Sequence, residues 1–196
     1  MSQSDRQKRD LRQQLIDAAL EILDEKGLAE LTLRKVAARV GVSHAAPAHH
    51  FKGLPQLLGA VVAVGFADLA DRMETLRDVA PADPWDRLTA VCRGYVDFAR
   101  DNPGLISLMF NTNRDRVDAS EFGGQGQRAY ALLKEASAPF EPIGEEPDST
   151  ETLVWSFVHG FAFLTLGGRF DNRGRTTGQP DIADVMPRLR LKKAFE

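Results

Sequence analysis

The chain has 196 residues, 43% hydrophobic and 27% charged, with a formal net charge of −3. That is apolar material for one ordinary domain or a small head on a larger body. The single cysteine, Cys92, excludes an internal disulfide and most structural zinc sites, which fits a reducing cytoplasm. The polar N-terminus shows no secretory pattern. The longest uncharged run, residues 152–168, is short for a bilayer and is broken by Ser156, His159 and three glycines. A cytoplasmic protein without a membrane partner is expected.

Charge is spread unevenly. Residues 1–60 hold nine Lys/Arg against seven Asp/Glu, and Arg6, Lys8, Arg9 and Arg12 fall in the first dozen positions, whereas the remainder holds sixteen against twenty-one. A mildly basic head on an acidic body suits a chain whose head alone meets phosphate. Ordinary scatter of surface charge gives the same counts.

Taken in order, nearly every periodic segment has a helical period, and no alternating strand stands out. The first helix carries Leu11, Leu15, Ala18, Ala19, Ile22 and Leu23 on one stripe and stops at Gly27, which can adopt a positive φ. Thr32 caps a second helix with Val36, Ala37 and Val40 facing inward, and Leu31 and Val36 are spaced as a hydrophobic staple. Gly41-Val42-Ser43 supplies a tight turn, after which Ser43 caps a short helix reaching about Phe51. Pro47 lies inside that helix but forfeits only one early backbone bond. Further helices are expected over 55–78, 85–101, 103–110, 119–137, 149–170 and 182–191, separated by loops rich in Gly, Pro and charge. The fold class is all-α, with no internal repeat. The helix over 55–78 starts in the head and ends in the body.

Two short helices joined by a glycine turn form a bihelical corner whose second member can enter a major groove. Val36, Ala37, Val40, Val42, Pro47 and Phe51 fill its wedge, which leaves His44, Ala45, Ala48 and His49 outward. Small alanines permit close approach to base edges, and imidazoles can donate or accept there. Thr32 and Ser43 place hydroxyls and free amides at helix starts, where phosphates bind. Such corners also occur in proteins that never meet DNA, so a helical protein–protein adaptor is the alternative. Catalysis has no pattern to support it. The four histidines lack metal spacing, Cys92 has no neighbouring His, and Gly123-Gly124-Gln125-Gly126 follows no strand. No enzyme activity, metal or cofactor is expected.

The run Leu15-Ile16-Asp17-Ala18-Ala19-Leu20, Gly27, Leu33-Arg34-Lys35-Val36-Ala37, Gly41-Val42-Ser43 and His50-Phe51 resembles the N-terminal domain of TetR-family repressors. Trp155-Ser156-Phe157-Val158-His159-Gly160 resembles the Trp-x-x-x-His-Gly motif of one TetR C-terminal subgroup. The resemblance implies a three-helix DNA-binding head over 10–70 and a ligand-binding, dimerising body over 71–196. It implies double-stranded operator DNA, a small-molecule effector and a second copy of the chain as partners. By position, Thr32 and Arg34 match the family's phosphate-facing helix start, and Ser43, His44, Ala45, His49 and His50 match its recognition helix. Ala48 stands where the family carries a phosphate-facing tyrosine, and Leu54-Pro55 where it carries a Lys-Glu pair. Lys52 is the candidate replacement contact.

In the body, the helix around Trp155 is apolar on nearly every side and must be covered all round. A partner subunit is expected on one face, along the small residues Ser156, Gly160 and Gly167, with help from the C-terminal helix. Aromatics including Tyr95, Phe122 and Phe163 are either core or pocket lining. The expected ligand-binding residues are Phe98, Met109, Phe110, Tyr130, Trp155 and His159, for an apolar or aromatic effector with one polar end. His159 serves either a polar ligand atom or a buried carbonyl.

Overall fold

The computed structural model describes residues 3–111, 116–121, 123–170, 180–189 and 191–194. The side chains of Arg6, Lys8 and Arg9, all of Phe122 and nearly all of the loop over 171–180 lie outside the described residues. Among the described residues eight α-helices follow in chain order: α1 Gln3–Lys26, α2 Leu33–Val40, α3 Leu54–Val79, α4 Pro84–Asp101, α5 Pro103–Asn111, α6 Gly123–Ser137, α7 Ser149–Leu166 and α8 Ile182–Val185. Among the described residues there is no strand beyond one isolated antiparallel bridge, Phe140 with Lys193. The all-α expectation holds.

Local chemistry sets the helix ends. Gly27 closes α1 with φ 76° and ψ 173°, a region open essentially to glycine alone. Thr32 takes extended backbone, and its hydroxyl oxygen accepts from the Lys35 N–H at 3.2 Å. Gly41 adopts the left-handed conformation (φ 78°, ψ 26°). Its N–H donates to Ala38 O while that of Val42 donates to Ala37 O, which is the paired bonding of a Schellman end.

Three expected spans come out shorter. The helix expected over 119–137 is a 3-10 turn at Ala119–Glu121 followed by α6. The span over 149–170 ends at Leu166, where the Gly167 N–H folds back onto Phe163 O. The C-terminal helix is only four residues, continued by a 3-10 turn at Met186–Leu189. Strand-like bonds then tie the last segment down: Glu141 N–H to Lys192 O and Ala194 N–H to Pro139 O, both 2.8 Å.

The chain packs as two units. The first comprises residues through Phe66 together with 102–123, and the second comprises 67–101 together with the residues from Gly124. These units do not follow the 10–70 and 71–196 boundaries, because α5 and the turn after it pack with the head. In the first unit, Leu15, Ile22, Leu31, Val36, Phe51, Val61 and Ile106 are all at most 2% exposed. Gly104 sits against the backbone of Leu23, and Gly65 against Leu105 and Met109. In the second unit, Leu88, Val91, Phe98, Val154 and Met186 are fully buried. Gly94 lets α4 approach α3 so closely that a Cβ there would lie 2.8 Å from Met73 Cα. Helix α3 is long and apolar enough to cross a membrane by length and composition, and half of that stretch is buried inside the protein.

Candidate functional site

The bihelical corner forms as expected in its core. Val36, Ala37, Pro47 and Phe51 are buried in the wedge, with Val40 and Val42 partly exposed. The recognition segment itself is tighter than a Ser43-capped α-helix. It is a 3-10 turn, Ala46–His49, flanked by turn residues. The cause is Pro47. It has no N–H to donate to Ser43 O, so that carbonyl accepts from Ala46 N–H at 3.0 Å instead. Ala48 N–H to Ala45 O repeats the short pattern, and Phe51 N–H to Pro47 O (2.8 Å) closes it. Ser43 therefore contributes its carbonyl to this turn, and Ala45, not Ser43, stands at its start.

The outward set is Ser43, His44, Ala45, Ala48 and His49, all exposed, with His50 half-buried behind them. Thr32 and Arg34 are exposed at the start of α2, and Lys52 is exposed just before α3. The basic count of the head overstates the charge free to meet phosphate. Arg12 is paired with Glu121 (2.8 Å), Arg39 with Glu25 (2.7 Å) and Glu21 (3.2 Å), and Lys35 with Glu30. The Arg39 guanidinium holds the Glu25 carboxyl below its ordinary range, and Lys35 does the same for Glu30. Among the described residues Arg34 makes no ion pair. Lys52 lies near Asp118, whose carboxyl is lowered first by the Ser120 hydroxyl and amide and then by Lys52.

The six expected ligand-binding residues are divided between the units. Met109 and Phe110 belong to the first, where Met109 abuts Gly65 and Phe110 meets Phe66 edge-on at 5.6 Å. The other four belong to the second. There Phe98 is fully buried, whereas Tyr130 and Trp155 are 37% and 41% exposed with ring centres 5.5 Å apart. The Tyr130 hydroxyl donates to Glu151 Oε1 at 2.6 Å, and that carboxylate pushes the phenol up to about 12. Glu151, buried one turn before Trp155, lies outside the expected ligand-binding set. Its only signal in the sequence is an acidic residue on the otherwise apolar face of α7.

His159 meets a buried polar group, the Tyr95 phenol. Tyr95 Oη lies 2.7 Å from His159 Nδ1. Burial raises the Tyr95 phenol above its ordinary value and lowers the imidazole, so both groups are held neutral and share this hydrogen bond. A lowered imidazole contributes stability that is fully present above the ordinary value of 6.5 and is lost as pH falls through the folded value. The melting temperature is therefore expected to drop as pH falls below the ordinary imidazole value of 6.5. His159→Gln should flatten that drop; an identical profile in the variant would remove His159 as its source.

Helix α7 buries only one face, through Thr150, Glu151, Val154, Val158, Phe161 and Ala162. Trp155 and Leu164 are 41% and 48% exposed, and Phe157 and Phe163 are half-covered. A Cβ added at Gly160 meets nothing within 4 Å. The expectation of complete cover is not met within one chain. Cys92 is buried, and its thiol is pushed up to about 12, which keeps it protonated.

A glycine-turned bihelical corner with a small-residue recognition turn, joined to a helical body, defines the class of helix-turn-helix proteins. Comparison with known proteins gives the family. A profile described as "Bacterial regulatory proteins, tetR family" matches residues 15–61, and one described as "Tetracyclin repressor-like, C-terminal domain" matches residues 88–186. The chain belongs to the TetR family. It is 34% identical over 95 residues to the HTH-type transcriptional regulator BetI 1 of Chromohalobacter salexigens, covering 48% of this chain and 47% of that protein. It is 38% identical over 86 residues to BetI of Paraburkholderia phytofirmans, covering 44% of each. The chain thus spans about half the length of the curated relatives it matches. Among solved structures it is similar to a Rhodococcus sp. RHA1 protein of unknown function, with 27% identity, TM-score 0.74 and 91% of each chain covered. It also shares its fold with a TetR family transcription regulator from Marinobacter aquaeolei VT8, at 18% identity and TM-score 0.66, covering 98% of this chain and 100% of that one.

Proposed function

We propose that this chain is a DNA-binding transcriptional regulator: a ligand-responsive repressor that holds a pseudo-palindromic operator as a homodimer. The observation that carries the reading is the exposed recognition turn. Its small and imidazole side chains stand outward over a buried Phe51, with the exposed Arg34 at the start of the preceding helix. The family assignment does not favour the adaptor alternative. A single turn of this length reads too few base pairs, so two copies related by a two-fold axis are needed. The half-uncovered α7 supports that second copy. The aromatic side chains of the second unit support an apolar or aromatic effector with one polar end, and α3 supports the switch, being one unbroken helix with residues in both units. A ligand shifts such an equilibrium only by its differential affinity for the two states, typically about 1–3 kcal/mol.

The division of labour in the head is testable. Arg34→Ala is expected to weaken binding to all duplexes alike and to lower the salt slope by about one. His49→Ala is expected to change sequence preference, by roughly 1–3 kcal/mol at the base it reads. Equal effects of the two variants on selected and random duplexes would show that the roles are not divided this way.

A further inference from the structure

Residues far apart in sequence meet behind the recognition turn. The Glu121 carboxylate accepts from the Arg12 guanidinium (Nη2 to Oε2, 2.8 Å) and from the Gln56 amide (Nε2 to Oε1, 2.9 Å). The other end of Gln56 is also used: its Oε1 accepts from the Lys52 N–H at 2.7 Å. Arg12 lies over the Phe51 ring, 5.1 Å from its centre. Glu121 thus reaches two residues just beyond the recognition turn, Phe51 through Arg12 and Lys52 through Gln56.

The backbone holds Glu121 in place. The Asp118 N–H donates to the Pro55 carbonyl at 3.0 Å. The Asp118 carbonyl rests on Gly59, where an added Cβ would clash with that oxygen and lie 3.1 Å from Glu121 Cβ. The absence of a side chain at Gly59 is therefore what seats the 118–121 turn on α3.

We infer that Glu121 is a positioning residue for DNA binding, the latch of a clasp formed by the 118–121 turn, seated on Gly59 and closed on Arg12 and Gln56. The clasp fixes Phe51 and Lys52, and with them the end of the recognition turn. It rests on the DNA-binding reading above. A charge effect alone would act the other way, since a carboxylate close to phosphates opposes binding and its removal would tighten the complex. The sign of the effect therefore separates positioning from electrostatics.

The test uses the full chain with the duplex it enriches from a random pool, over a salt series, together with amide hydrogen exchange without DNA. Glu121→Ala is expected to weaken binding about tenfold despite the lost negative charge, within the usual range for networked groups. Exchange at the Phe51 and Lys52 amides should speed up. Gly59→Ala leaves every clasp side chain intact and improves helix propensity, yet it should weaken binding and speed exchange in the same way. Glu121→Gln keeps the Gln56 bond and loses the Arg12 ion pair, so it should fall between wild type and Glu121→Ala. If Glu121→Ala does not fold, Glu121→Gln decides by the same sign. Unchanged or tighter binding by a folded variant overturns the proposal and leaves the DNA-binding reading standing. If the wild type enriches no duplex, that reading fails and exchange alone decides. Faster exchange in both the Glu121 and Gly59 variants then supports the clasp, and unchanged exchange overturns it.

Discussion

Gly160→Leu is expected to convert a dimer of about twice the 21.6 kDa chain mass into a monomer, and to cost most of the DNA affinity. The protomer has no reason to reject the change. A Cβ at Gly160 meets nothing within 4 Å, and leucine is the better helix former by about 1 kcal/mol. In the proposed dimer the leucine meets the partner. There the outward stripe of Ser156, Gly160 and Gly167 would let two α7 helices approach closely, with Leu164 and Trp155 flanking it, 48% and 41% exposed in the single chain. A bulky side chain in mid-stripe holds the helices apart. Because two linked heads bind more tightly than one by roughly 10²–10⁴-fold, loss of the dimer should remove that gain. Light scattering at micromolar concentration reads the mass, and a titration of labelled duplex reads the affinity. A Gly160→Leu protein that keeps the dimer mass would show that this face of α7 is not the interface.

Phe51→Ala acts by a different route and should leave the dimer intact. The ring is 1% exposed and closes the wedge between α2 and the recognition turn, with the Arg12 guanidinium above it. Truncating such a phenylalanine costs about 3–5 kcal/mol. That is a large part of the roughly 5–15 kcal/mol that holds an ordinary domain folded. At about 2–4 °C per kcal/mol for a chain of this size, the melting temperature should fall by on the order of 10 °C. Binding to selected and random duplexes should be lost together, because the turn has lost its floor and not a base contact. A melting temperature within a degree or two of wild type would mean that the wedge does not depend on this ring.

The contrast between these sites shows what the sequence could and could not reveal. Gly27, Thr32 and Gly41 were legible because a helix end is decided within four residues, and each does locally what its chemistry requires. The outward set of the recognition turn was legible for the same reason. Its conformation was not, because the missing N–H of Pro47 costs more than one bond: it shifts the whole segment to the 3-10 pattern. The basic residues of the head were visible but their partners were not. Arg12 meets Glu121 across 109 positions, and Arg39 meets Glu25 across 14, so free charge cannot be counted along a chain. Packing of 102–123 with the head is likewise long-range, and it places Met109 and Phe110 in the first unit. The Glu151–Tyr130 bond was hidden because a single acid on an apolar helix does not announce its acceptor role.

Selection of bound duplexes from random DNA by the full chain is the measurement that bears most directly on the central claim. The account predicts enrichment of an inverted repeat whose half-site centres lie about 34–36 Å apart, or a multiple of that, matching two recognition turns in successive major grooves. It also predicts that affinity for the enriched duplex falls steeply with salt as phosphate counterions are released. Enrichment of no duplex, or of a sequence without two-fold symmetry, would contradict it.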